Sequence, residues 1–202
     1  MGARRTNRGR RLPPEILTDD GVHALLRACS AKAATGIRNR DLIAVLYRSG
    51  LRISEALSVY PKDIDRNTGA IRVLHGKGER ARTVGIDPGA MAILGRWFEM
   101  RTRIGLSGRQ RLFCTHEGRP MTDSYVRVLL PRLARKAGIE KRVHAHGFRH
   151  THAAQLRAEG VDIGIISKQL GHQSIATTAR YLDHIAPLAV IETMQGRTWM
   201  TA

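Results

Sequence analysis

Only one stretch of this chain is patterned for strands. Ala70-Ile71-Arg72-Val73-Leu74 and Arg82-Thr83-Val84-Gly85-Ile86 are short and β-prone, and His75-Gly76-Lys77-Gly78-Glu79 lies between them. The two glycines suit that connection to a turn, so residues 70–86 are predicted to form a β-hairpin with Lys77 at its tip. Any sheet is therefore small and antiparallel, and the remainder must build its core from helices.

The remainder carries helical signals. Thr18-Asp19-Asp20 reads as an N-cap with acids in the first turn, ahead of Val22, Leu25 and Leu26 at helical spacing. A second helix is expected from about Arg40 through Leu42, Ile43, Val45 and Leu46 to Gly50, and a short one carries Ser54, Glu55, Ala56 and Leu57. Further helices are expected from Pro88 to about Thr102, from Thr122 to Lys136 with a kink at Pro131, and from Gly147 to Glu159 with Gly160 as its stop. Asp162 caps a helix that Gly171 breaks, Ser174 caps one leading to Tyr181, and Pro187 to Met194 forms a last short apolar helix. With 202 residues, 42% of them hydrophobic, one core is the expectation, and with aromatics at 4% it is aliphatic. The fold class is mainly α with a small antiparallel β-sheet. Residues 1–14 are read as an arm and 15–202 as one domain.

Charge narrows the partners. There are 34 Lys and Arg against 17 Asp and Glu, a formal net charge of +17. Such a chain is drawn to polyanions, nucleic acid ahead of an anionic membrane surface. Biased codon usage accounts for part of the arginine excess, but not for the shortage of acids. Arg4, Arg5, Arg8, Arg10 and Arg11 precede Pro13-Pro14 with no acid among residues 1–12, and they are read as a flexible, DNA-binding arm. Cys29 and Cys114 have neither zinc nor disulfide-framework spacing and read as buried thiols in a reducing cytosol, which makes the expected localisation cytoplasmic. No apolar run approaches the roughly 20 residues needed to span a bilayer. No apolar segment follows the N-terminal charges, so no secretory signal is read.

Three stretches carry chemistry. His144-Ala145-His146-Gly147-Phe148-Arg149-His150-Thr151-His152 sets four histidines around one arginine. His146 and His150 have a spacing that can bind zinc, but Arg149 lies between them and no Glu follows His146 as a metalloprotease base. An oxyanion site fits better, with Arg149 as a planar fork for phosphate oxygens and His146 and His150 as hydrogen-bonding groups. No metal or other cofactor is expected. Leu170-Gly171-His172 is followed nine positions later by Tyr181, and Gly50-Leu51-Arg52 by Glu55. Taken singly, Tyr181 is an ordinary packed tyrosine, His172 a helix cap, and Arg52–Glu55 a surface ion pair worth tenths of a kcal/mol.

Taken together, the order Arg52, Lys77, His146, Arg149, His172, Tyr181 resembles the catalytic set of the tyrosine recombinases, the phage-integrase family. The stretches that carry the resemblance are Gly-Leu-Arg-Ile-Ser-Glu-Ala-Leu, the Gly-Lys-Gly turn, His-Gly-Phe-Arg-His-Thr, and Leu-Gly-His through Thr-Thr-Ala-Arg-Tyr. It covers about residue 15 to the C-terminus. It implies a DNA breaking-rejoining fold and site-specific recombination of double-stranded DNA: integration, inversion or resolution. In that scheme Arg52 and Arg149 grip the scissile phosphate, and Tyr181 attacks phosphorus to form a 3′-phosphotyrosyl ester. Lys77 protonates the leaving 5′-oxygen, His146 assists proton transfer at Tyr181, His172 hydrogen-bonds the phosphate, and Glu55 orients the site, with His150 in support. The resemblance also implies a homo-oligomer, a tetramer on synapsed DNA, and leaves a monomer open for the free chain. The C-terminal segment, Pro187 to Ile191 with Trp199 and Met200, docks on a neighbour or on its own domain. Most members carry an additional N-terminal helical domain that clamps the DNA. Here only the arginine arm stands there, as in a fragment or a short member resembling the fimbrial invertases. A type IB topoisomerase and a non-catalytic DNA-binding regulator remain the alternatives.

Overall fold

A computed structural model describes residues 16–74, 81–185, 191 and 194–197. Among these residues eight α-helices and three strands follow in order: α1 (Asp19–Ala28), α2 (Ala34–Ser49), α3 (Ile53–Ser58), β1 (Ile64–Asp65), β2 (Ala70–Val73), β3 (Arg82–Gly85), α4 (Pro88–Arg103), α5 (Asp123–Lys136), α6 (Ala145–Ala158), α7 (Ile163–Leu170) and α8 (Ile175–Ile185). The expected class, mainly helical with one small antiparallel sheet, is the observed one.

The caps explain the boundaries. Thr18 accepts from the Gly21 N–H at the start of α1, Thr122 from Tyr125 at α5, and Asp162 from Gly164 and Ile165 at α7. Each satisfies an N–H that has no partner within its own helix. At the other ends Gly50, Gly160 and Gly171 take positive φ, at 63°, 75° and 66°.

Helix α2 is the centre of the molecule. It packs against α4 and α6 and also touches α1 and α3. Leu42, Ile43, Ala44, Val45 and Leu46 in its middle are all buried, the pattern of a helix covered on every side. It begins at Ala34, six residues ahead of the Arg40 expected from periodicity. The first turns bury Arg38 and Asn39, and Arg38 donates to the Cys114 carbonyl at 2.9 Å and to Asn39 Oδ1 at 3.2 Å. Paired polar groups fill inward positions there, which hides the apolar period. Trp97, Phe113 and Phe148 complete this main core, and Trp97 Nε1 donates to the Leu112 carbonyl at 2.7 Å. Both cysteines are buried free thiols.

A smaller cluster of Ala153, Ile166, Leu170 and Leu182 joins α6, α7 and α8, with Tyr181 packed against it. The C-terminal helices thus have a core of their own beside the main one. The sheet has three strands in the order β1-β2-β3. The pair β2–β3 is as expected, with Ile71 opposite Val84. Strand β1 was not foreseen, because two residues are too short to show an alternation. The hairpin tip with Lys77, the arm with its arginines and most of the Pro187–Met194 segment lie outside the described residues. Among the described residues, no helix is long and apolar enough to cross a membrane.

Candidate active site

The site is built where three helix ends meet. Arg149 lies on α6, whose first turn is capped by His144 Nδ1 accepting from the Gly147 N–H at 3.2 Å. Its side chain points inward and is 2% exposed. Nη1 donates to the Gly50 carbonyl at 2.7 Å and Nη2 to the Leu170 carbonyl at 2.5 Å. Both carbonyls stand at helix C-termini, where unpaired oxygens carry partial negative charge. Gly50 is needed there, because a Cβ at its φ of +63° would come within 2.6 Å of the His152 ring. Burial and the nearby Arg52 push the Arg149 pKa down to about 10, so it stays a cation at neutral pH.

Arg52 and Glu55 open α3. Glu55 reaches back to accept from the Arg52 N–H at 2.9 Å and from Arg52 Nη1 at 2.8 Å. It also takes Arg82 Nη1 on Oε1 and Arg82 Nη2 on Oε2, both at 2.9 Å. The expectation of a surface ion pair is corrected here, since Glu55 is 2% exposed and binds two arginines. Burial works against its ionisation, but the hydrogen bonds from Arg82 and Arg52 outweigh it and hold the carboxyl below the ordinary glutamate value. Arg82 was missed in the sequence. It opens β3, and the acid that it answers lies 27 residues upstream, a separation with no sequence signature. Its Nε is buried without a partner, and a Cβ on Gly171 would fall 2.5 Å from it.

A row of rings faces these cations. Tyr181, on α8, stacks on His150 with ring centroids 5.1 Å apart and meets His172 edge-on at 5.3 Å. His146 meets His150 edge-on at 4.3 Å. The Tyr181 hydroxyl is buried and makes no hydrogen bond of good geometry, although Arg149 lies near enough to act on it. Burial raises the phenol to about 12, against the pull of Arg149 and Arg52. His172 is pushed down to about 4 by burial and by Arg149, Arg52 and Arg82. His146 is lowered by partial burial and by Arg149, and it stands at the open rim of the site. Both rings are thus neutral at pH 7.

The structure brings Arg52, Arg149, His172 and Tyr181 together, with Glu55 behind Arg52 and with His150 and His146 extending the ring row outward. Lys77, Arg4, Arg5, Arg8, Arg10 and Arg11 fall outside the described residues. Among those described, no group of three or more His, Cys, Asp or Glu residues could hold a metal ion. Two cations, neutral imidazoles and an unpaired phenol make a site suited to an oxyanion and to nucleophilic attack on it.

Known proteins match on the same scale as the fold. The Phage integrase family model matches residues 15–186. The chain is 35% identical over 179 residues to the tyrosine recombinase XerD of Ralstonia nicotianae, covering 86% of this chain and 56% of that protein. It is 30% identical over 168 residues to the tyrosine recombinase XerC of Staphylococcus epidermidis, covering 83% of this chain and 56% of that one. It therefore spans little more than half the length of these curated relatives. Among solved structures, the XerA recombinase superposes with a TM-score of 0.79 at 28% identity, covering 94% of this chain and 68% of that one. The XerH site-specific recombinase, bound to a palindromic difH substrate after cleavage, superposes at 0.74 with 26% identity, covering 92% and 54%.

Proposed function

The chain belongs to the phage integrase family, and from that premise we propose that it is a site-specific tyrosine recombinase that cleaves and rejoins double-stranded DNA. The observation that carries the reading is the buried hydroxyl of Tyr181, which lies beside Arg149 and His172 with no protein acceptor for its proton among the described residues. A buried hydroxyl whose proton has no acceptor is costly, and it persists where a ligand is to complete its surroundings. A backbone phosphate would do so.

In the proposed reaction Arg52 and Arg149 hold the non-bridging oxygens, with His172 beside them. Negative charge grows on those oxygens in the pentacoordinate transition state, where fixed cations act most strongly. The Tyr181 oxygen bonds to phosphorus as the bond to the 5′-oxygen breaks. Lys77 supplies the proton to that oxygen. With a phenol at about 12, little phenolate exists beforehand, so the proton must leave as the bond forms. His146, lowered below the ordinary histidine value, is the acceptor on that side, and the proton reaches it by way of a water, since only ring contacts through His150 link the two side chains in the DNA-free chain. The product is a 3′-phosphotyrosyl ester with a free 5′-hydroxyl. Attack by a 5′-hydroxyl reverses each step, so the ester bond energy is kept and no nucleotide is consumed. Strand exchange between two duplexes asks for a homo-oligomer, a tetramer on synapsed DNA. Residues 15–202 act as the catalytic domain, and the arginines of residues 1–14 add contacts to DNA phosphates.

The test is a nicked suicide duplex carrying the DNA that flanks this gene. The wild-type chain should form a covalent protein–DNA adduct and Tyr181→Phe should not. Adduct with the Phe variant would remove Tyr181 as the nucleophile. No adduct with either would favour a non-catalytic regulator.

A further inference from the structure

His172 has a partner on each ring nitrogen. Nε2 lies 3.2 Å from Arg149 Nη2, and Nδ1 lies 2.9 Å from Thr178 Oγ1. Only one of these partners can accept. A guanidinium has N–H donors and no acceptor, whereas a hydroxyl oxygen accepts as well as donates. A proton on Nε2 would point at an N–H of Arg149. The Nε2 lone pair therefore faces Arg149, and the single proton of the neutral ring sits on Nδ1 and is donated to Thr178.

Thr178 has no other evident duty at the site. Its side chain is fully buried, at 0% exposure, so its hydroxyl has exchanged water for the His172 ring. It lies on α8, three residues before Tyr181, so both face the same side of the helix. Arg149 in turn has three acceptors around its two terminal nitrogens: the Gly50 carbonyl, the Leu170 carbonyl and the His172 ring. The two carbonyls are fixed by backbone. The third exists only while His172 keeps its Nε2 lone pair toward the guanidinium.

We propose that Thr178 is a positioning residue for strand cleavage: its hydroxyl locks His172 as the Nδ1–H tautomer, and His172 so locked holds Arg149 in its phosphate-binding orientation. The hydrogen bond made by one ring nitrogen decides which nitrogen carries the proton. In the DNA-free protein His172 thus acts on Arg149, as an acceptor. Tyr181 and Thr178 share one helix less than a turn apart, so seating the nucleophile and aligning the oxyanion grip become a single event.

The proposal rests on the cleavage reading, and two measurements separate them. Ring-nitrogen shifts of His172 in the ¹⁵N-labelled wild-type chain, without DNA, should show a protonated Nδ1 and a bare Nε2. A proton on Nε2 overturns the proposal. In single-turnover adduct formation at saturating DNA, Thr178→Val should be about tenfold slower, the worth of one such hydrogen bond, with DNA affinity unchanged. Thr178→Ser should restore the wild-type rate. Val at the wild-type rate, or Val and Ser slowed alike, overturns the proposal. If the wild-type chain forms no adduct, the cleavage reading fails. The nitrogen shifts then still decide the tautomer, as they do if the Val variant fails to fold.

Discussion

Arg82 sets its two terminal nitrogens against the two carboxylate oxygens of Glu55, each at 2.9 Å, while Arg52 shares one of those oxygens. The carboxylate thus joins the first residue of β3 to the N-cap of α3. Replacing Glu55 with Gln removes the charge and leaves two cations close together. We expect a loss of about 2–3 kcal/mol in urea unfolding, less than for a fully buried pair because both arginines keep some solvent contact. Arg82→Met should slow adduct formation as well, because Arg52 then shares Glu55 with no second cation and can swing toward it.

Acid should expose the same carboxylate. Its folded pKa lies below the ordinary glutamate value, so the stability that it contributes is present above that value and lost as pH falls through the folded pKa. Glu55→Gln should remove this acid-sensitive component. Unfolding midpoints of wild type and variant, followed from pH 6 down to about 3, the range that brackets an ordinary carboxyl, should converge.

His152 predicts a separate slope at milder pH. It is buried with both ring nitrogens unpaired, and burial together with Arg48 and Arg149 pushes it down to about 4. In the unfolded chain it titrates near 6.5. Its contribution is therefore intact above that pH and falls away between the two values, by up to about 3 kcal/mol. His152→Leu should flatten the dependence of the urea midpoint on pH across that window. A slope equal to that of the wild type would contradict the assignment.

Gly50→Ala joins two penalties at one position. The left-handed backbone costs an alanine about 1 kcal/mol, and its Cβ would press on His152 at 2.6 Å and on Leu170 at 3.1 Å. Because the Gly50 carbonyl holds Arg149, the cleavage rate at saturating DNA should drop more than DNA affinity does. An affinity loss with an unchanged rate would show that this carbonyl does not position Arg149.

DNA binding should weaken steeply with salt. A formal charge of +17 on 202 residues implies many phosphate contacts and matching counterion release. Arg52→Ala should lower the slope of log K against log salt by about one contact. A flat response in the wild type would count against DNA as the partner.

Much of this arrangement could be read before folding. The caps at Thr18, Thr122 and Asp162 and the stops at Gly50, Gly160 and Gly171 are local signals, each decided by one side chain or one backbone angle. Arg52, His146, Arg149, His172 and Tyr181, which the fold gathers at one place, each sit in a short motif. What stayed hidden was non-local. Arg38 and Asn39 fill inward positions of α2 with polar groups whose partners are distant in sequence. Arg82 meets Glu55 across 27 residues, and the buried depth of Glu55 follows from packing. Thr178 lies in the stretch from Leu170 to Tyr181, but the meaning of its hydroxyl comes from the His172 ring placed between it and Arg149.

The outer strand of the sheet has one further property. Gln169, on α7, accepts from the Gly85 N–H at 2.9 Å and donates to the Gly85 carbonyl at 2.8 Å, making with its side-chain amide the two bonds that a neighbouring strand would make. A bare β edge is a template on which a second chain can add a strand. Here one rung of that template is already occupied from within the molecule. A second chain would find this end of the hairpin sheet closed to edge-on stacking, a safeguard against aggregation at high concentration.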